Sequence, residues 1–299
     1  MGIPRPVARL LFEEGRRRPF AGSVLELGRC YVYLTREELG HWARRDGFRL
    51  AGGAPEELSH DPALAARGCL SDRAFFGALG FERVESLDLL ADEAPTHVHD
   101  LNQPLPSGLA GRFDVVFDTG TLIHVFDQRA AFRNLGLAVR EGGRAIHYVP
   151  STNHVDVGLY MHSPQLFADF YAANGWRVET LRFCEFEPLW WRGRFEPPLW
   201  LAWDYAPGAL DTLGIGGFGS RPAATWVVAT KLPGASTDRT PLQGCSRPPA
   251  PAPARSAGPP PAAGSLPAPL EAAARLIKRW RRRLGRLAAR PRPRLAGRY

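Results

Sequence analysis

Residues 113–150 read FDVVFDTGTLIHVFDQRAAFRNLGLAVREGGRAIHYVP, and the fold is decided there. The apolar run Phe113 to Phe117 ends in Asp118, Thr119 and Gly120, the pattern of a buried strand running into a turn. From Gln128 onward Ala131, Phe132, Leu135, Ala138 and Val139 recur at three- and four-residue steps. That spacing predicts a helix, with Gly142 and Gly143 as its left-handed stop. Arg144 to Val149 is a second short strand, closed by Pro150. Strand, helix and strand form a βαβ unit, which crosses over right-handed into a parallel sheet whose ligands bind beyond the carboxyl ends of the strands.

The succession FDVVFDTGTLIHVFD, a helix, then EGGRAIHYVP resembles the middle of the class I S-adenosylmethionine-dependent methyltransferases. It is similar in particular to a bacterial branch with a His-Val pair after the fourth strand and an Asn-His-Val-Asp segment after the fifth, and the likeness runs over roughly residues 20–232. The resemblance implies an α/β, three-layer Rossmann-like fold with a mostly parallel seven-stranded sheet and an antiparallel last strand. It implies S-adenosyl-L-methionine as cofactor and a methyl acceptor that is a small molecule, a sugar or a lipid. The rival is a non-catalytic Rossmann-like scaffold or sensor, tethered by a basic tail.

Composition is that of a globular chain: 299 residues, 44% apolar, net charge +8. The charge is unevenly placed. Residues 271–299 hold eleven Arg or Lys against Glu271 alone, so they carry +10 of the total and the rest of the chain −2. No specific nucleic-acid partner is expected for the body on that count. Cys30, Cys69, Cys184 and Cys245 fit no metal or redox spacing, and no 18-residue apolar run occurs. The expected place is the cytoplasm, peripheral to a membrane if the tail binds one. Three divisions follow from composition: residues 1–232 as the Rossmann-like domain, 233–268 as a Pro/Ala-rich disordered linker, and 269–299 as a basic amphipathic helix. Leu270, Ile277, Trp280, Leu284 and Leu287 make an apolar stripe among arginines, which suits an anionic membrane surface over residues 270–290, with an acidic partner or nucleic acid as second choices.

Before the central unit, Ser23 to Gly28 is a strand whose end keeps only Glu26 and Gly28 of the family's acidic and glycine-rich cofactor loop; Arg29, Cys30 and Tyr31 fill the rest. Thr35 with Glu38 is a capping box, and Ser71 and Gly80 bracket a second helix. Glu82 to Asp88 is the next strand, and a carboxylate at its end accepts from both ribose hydroxyls, which makes Asp88 the ribose candidate. THVHDLN places a third strand ending at Asp100, where the family contacts the adenine amine, with Asn102 beside it. His97 and His99 alternate onto one side and are read as packing residues, with a metal pair as the lesser option. By the resemblance, Asp118, Thr119 and Gly120 line the methyl-bearing sulfur, while His124 is read as packing and hydrogen bonding.

The segment PSTNHVDVGLYMHSP gathers Asn153, His154, Asp156, Tyr160 and His162 at the carboxyl edge of the sheet. His154 oriented by Asp156 is the candidate general base, and Asn153, Tyr160 and His162 are substrate candidates. A cluster of turn and capping groups is the alternative, and a metal on His154, Asp156 and His162 a minor one, so no metal is expected. Ser163 and Pro164 start a helix, Trp176 to Phe183 is the sixth strand and Thr225 to Thr230 the last. Between those two strands Trp190 and Trp191 belong to an aromatic stretch that forms a wall over the substrate, or an accessory subcore or dimer surface. GIGGFG at 214–219 is a loop, without the strand and helix that a nucleotide fingerprint needs.

Overall fold

The computed structural model describes residues 2–186, 195, 200–207, 221–243 and 294–299. The expectations for Trp190 and Trp191, the 214–219 loop, most of the 233–268 linker and the helix over 270–290 therefore fall outside the described residues. Within them lies the expected architecture, enlarged at one edge. The central sheet is built from β2 (Ser23–Leu27), β4 (Arg83–Asp88), β5 (His97–Val98), β6 (Phe113–Asp118), β7 (Val139–Thr152), β8 (Arg177–Phe186), β9 (Trp200–Asp204), β10 (Ala223–Thr230) and β11 (Arg294–Arg298). Their order is β11-β9-β8-β10-β7-β6-β2-β4-β5. Strands β5, β4, β2, β6 and β7 are parallel, and β10 runs antiparallel to both β7 and β8, so the reversed last strand of the expected seven is present. Beyond β8 come two strands that the sequence reading lacks.

Both sheet faces are covered, and the two-residue period of the strands decides which side chain goes where. Val24, Val115, Phe117, Ile146 and Val228 pack under α1 (Arg5–Arg17), α2 (Arg36–Arg45) and α4 (Asp72–Leu79). Their neighbours Leu25, Val116, Ala145 and Val227 pack against α5 (Gln128–Ala138) and α6 (Pro164–Ala173) on the other face. Three layers follow directly. The helix starts are those the sequence marks: the Thr35 hydroxyl accepts from Glu38 N–H at 3.2 Å while the Glu38 carboxylate accepts from Thr35 N–H at 2.8 Å. The Ser71 and Ser163 hydroxyls cap α4 and α6 by accepting from Ala74 and Leu166 N–H. A short α3 (Pro62–Ala66) interrupts the 51–68 excursion, and β1 (Gly2–Ile3) pairs in parallel with β3 (Tyr31–Val32), which lays the start of the chain along the segment after Gly28.

Three local expectations are corrected. Helix α5 ends at Ala138, where Val139 turns extended, so Gly142 and Gly143 are not its cap. They belong to β7: Gly142 has φ +73°, and a Cβ on Gly143 would lie 2.9 Å from the Asp114 carbonyl oxygen, so glycine lets β7 close on β6. Strand β7 also continues through Pro150 to Thr152. The third strand is only His97–Val98, too short to carry its alternation to residue 99.

Candidate functional site

A pocket of about 330 Å³ opens where β2, β4, β5 and β6 end. Gly28 supplies its floor with φ +71°; a Cβ there would stand 2.5 Å from the Thr121 hydroxyl and 3.7 Å from the Asp88 carboxylate, so only glycine keeps the space open. Asp88 is held from behind: Oδ2 accepts from Arg29 N–H at 3.0 Å and Oδ1 from Leu90 N–H at 3.1 Å. Across the pocket, Asp100 Oδ1 accepts from both the backbone and the side-chain amide of Asn102, at 2.9 and 2.7 Å. Those two bonds hold the Asp100 carboxyl below the usual carboxylate range. Leu87, Leu89 and Leu101 supply apolar wall. Carboxylates on one side, an amide and leucines on another make a chemistry suited to a sugar diol and a flat heterocycle.

Gly28, Asp88, Asp100 and Asn102 are thus brought together as the strand-end argument expects. His99, Thr121 and His124 join them on the lining. His99 had been read as packing together with His97. Because β5 stops at Val98, the two rings part: His97 Nε2 meets Glu85 at 2.7 Å, whereas His99 Nε2 is buried without a partner among the described residues. Burial lowers the pKa of His124, so its imidazole is neutral at neutral pH.

The other cofactor candidates stand behind the wall. Glu26 is fully buried; Oε2 accepts from Cys30 N–H at 3.1 Å, and burial followed by the neighbouring Asp72 pushes its carboxyl well above the usual range. Asp118 is fully buried as well. Its Oδ1 accepts from Gly120 and Thr121 N–H at 3.0 and 2.8 Å, and Oδ2 pairs with His147 Nδ1 at 3.0 Å. The expected contact of Asp118 with a bound sulfur is replaced by this anchoring role. Thr119, 4% exposed, places its hydroxyl 3.5 Å from the Cys30 thiol, and Gly120 supplies a turn at φ +102°.

The expected His154–Asp156 dyad is not formed. Asp156 is exposed at φ +68°, while the His154 ring packs at a tilt against Phe186, 5.5 Å between centroids, and bonds the backbone of Ala223. Two residues apart in a loop that turns left-handed at Asp156, the side chains diverge. Asn153 donates to the Arg221 carbonyl at 2.8 Å, Tyr160 to the Phe126 carbonyl at 3.0 Å, and buried His162 meets Gln128 Oε1 at 2.8 Å. This loop is tied to the fold by its own polar groups, the alternative that its sequence left open. Among the described residues no group of three His, Cys, Asp or Glu is arranged to hold a metal ion.

Burial moves the His162 imidazole down to about 4 from 6.5. The unfolded chain therefore binds the proton that the folded one refuses between those values, and stability is lost as pH falls through that window. Unfolding in urea from pH 7 to 4 should show a loss of about 1.4 kcal/mol per pH unit below 6.5, on the order of 3 kcal/mol in all, that His162→Gln removes. An equal slope in the variant would assign the loss elsewhere.

No family model matches the chain, and no curated protein does. Among solved structures it is similar to the 1,6-didemethyltoxoflavin-N1-methyltransferase of Burkholderia thailandensis, at 15% identity and a TM-score of 0.36 over 76% of this chain and 77% of that one. A putative methyltransferase of Bacillus halodurans gives 11% identity and a TM-score of 0.36 over 75% and 98%. Phosphoethanolamine N-methyltransferase 2 of Haemonchus contortus, in complex with S-adenosyl-L-methionine, gives 12% and 0.36 over 75% of this chain, which spans about half, 52%, of that enzyme. Likeness this distant assigns no activity.

Proposed function

We propose that the pocket beside Gly28 binds the adenosine end of S-adenosylmethionine and that the chain is a methyltransferase. One observation carries the reading: Gly28, Asp88 and the Asp100–Asn102 pair, from three separate stretches of sequence, share one cavity of about 330 Å³ at the carboxyl edge of a parallel sheet. Asp88 takes the ribose hydroxyls, Asp100 and Asn102 take the adenine edge, and the unpartnered His99 nitrogen takes a further polar atom of the nucleoside. S-adenosylmethionine, when bound, supplies a methyl group on a sulfonium. The chain's part is to hold the nucleoside, align the acceptor and keep water out. His124, the neutral imidazole on the lining, replaces His154 as the group placed to accept an acceptor's proton. The acceptor classes stay those of the sequence reading: small molecule, sugar or lipid.

A nucleoside sensor without methyl transfer is the second reading, and Arg29 favours it. Its guanidinium bonds Asp72 at 3.1 Å and the carbonyls of Glu93 and Ala94 at 2.9 and 3.1 Å, so the segment after Gly28 is occupied by side chains. Calorimetry with S-adenosylmethionine, S-adenosylhomocysteine and adenosine separates the two. The enzyme binds all three. The sensor binds adenosine alone. In either case Asp88→Ala should weaken adenosine on the order of a hundredfold, through two charge-assisted hydrogen bonds lost; absence of heat with every ligand overturns both.

A further inference from the structure

A second face has its own chemistry. Helix α1, the end of α2 and the last residues of β11 meet there. A hollow of about 590 Å³ lies between them, lined by Arg9, Arg16, Arg17, Arg45 and Arg298 with Glu13 and Asp46. Its two carboxylates are already spoken for. Asp46 bonds Arg9 at 2.7 Å, and Glu13 bonds Arg182 at 2.7 Å as well as Arg17. Arg16, Arg45 and Arg298 are exposed and form no ion pair among the described residues. Arg18, also exposed, meets only the Gly142 carbonyl at the rim of a neighbouring, larger hollow. Since the chain outside residues 271–299 carries net −2, this face concentrates positive charge on an otherwise slightly acidic body.

We propose that this face docks the protein on an anionic lipid surface. Free guanidiniums with no internal counter-ion are matched by phosphate in the plane of a membrane. The sequence argues for lipid over nucleic acid. The arginine run of 275–292 comes just before β11 in the sequence, and it is interleaved with Ile277, Trp280, Leu284 and Leu287, which an acyl boundary accommodates and a phosphate backbone does not. On β11 itself Leu295 stays 38% exposed, three residues before Arg298.

Flotation of the full chain with phosphatidylglycerol–phosphatidylcholine vesicles, and with phosphatidylcholine alone, tests the surface. Binding is expected to the first only, and to fall with added salt. The triple variant Arg16→Ala/Arg45→Ala/Arg298→Ala keeps the 275–292 run yet should partition on the order of a hundredfold more weakly, at about 1 kcal/mol per basic residue. Its circular dichroism should match wild type; because the Arg45 guanidinium lies 5.2 Å over the Trp42 ring, a small drop in melting temperature is expected, and the double variant Arg16→Ala/Arg298→Ala, which keeps that contact, should melt with wild type and still partition more weakly. Equal partitioning of the variant overturns the proposal, as does equal binding to neutral vesicles, or tight RNA binding without vesicle binding. Calorimetry on the nucleoside pocket is read separately, so loss of one assignment leaves the other standing.

Discussion

Replacing Asp118 by alanine is expected to cost roughly 3–5 kcal/mol of stability, the scale for stripping the shared acceptor from several buried hydrogen-bond donors at once. The reason is the number of groups that one carboxylate satisfies. Tyr171, buried and pushed well above its ordinary pKa by that burial and by Asp118, keeps its hydroxyl proton and donates it to His147 Nε2 at 2.5 Å. His147 then presents Nδ1–H to Asp118 Oδ2 at 3.0 Å, with both side chains fully buried. Alanine leaves that N–H and the Gly120 and Thr121 amides without acceptors in a dry interior. The change should also be felt at the pocket, because the turn that Asp118 anchors carries Thr121 and His124 onto its lining. Urea unfolding and adenosine calorimetry on one sample check both effects. A stability loss below about 1 kcal/mol, or intact binding with full destabilisation, would sink the corresponding half.

The contrast between Asp88 and Asp118 shows what the sequence can and cannot say about the site. Each is the last residue of a parallel strand. Asp88 faces the pocket because its backbone partners, Arg29 and Leu90, lie behind it. Asp118 turns inward because a histidine 29 residues later on the adjacent strand waits for it, and that histidine is oriented by a tyrosine on α6. No local pattern announces a partner at such separations. Signals that are local by nature translate directly: the Thr35, Ser71 and Ser163 caps and the apolar strands β2 and β6; the reversed strand β10 comes from the resemblance alone. Gly142 and Gly143 mislead for the opposite reason. A glycine pair after an amphipathic run satisfies the local rule for a helix stop, while the actual demand comes from the Asp114 carbonyl of the neighbouring strand. His99 was findable only with the strand's end known, since one more paired residue would have carried its ring to the side of His97.

Deleting residues 294–299 is expected to destabilise the whole domain by more than the roughly 3–5 kcal/mol that loss of one large buried aromatic costs. By composition this segment ends a detachable basic tail, yet the fold uses it. Strand β11 pairs antiparallel with β9, and Tyr299, 9% exposed, sits in the core cluster that contains Trp42 and Trp200. Its amide donates to the Trp200 carbonyl at 3.1 Å, its hydroxyl meets Arg182 at 3.0 Å and bonds Glu13, and Arg9 lies 5.6 Å from its ring centre. Burial alone would raise the Glu13 carboxyl; hydrogen bonds from Arg182 and Tyr299 outweigh it and hold the group at about 2. A depressed carboxyl stabilises above its ordinary value of 4.5, and that contribution disappears as pH falls toward 2. Tyr299→Phe removes the hydroxyl and keeps the ring, so it should cost about 1 kcal/mol and shift the acid limb of the stability profile upward. The deletion loses ring, hydroxyl and strand pairing together. If urea midpoints for the full chain and the deletion coincide, the C-terminal strand contributes nothing to the fold and residues 294–299 return to the status of a tail; a graded loss, small for phenylalanine and large for the deletion, fixes them as the last strand of the sheet.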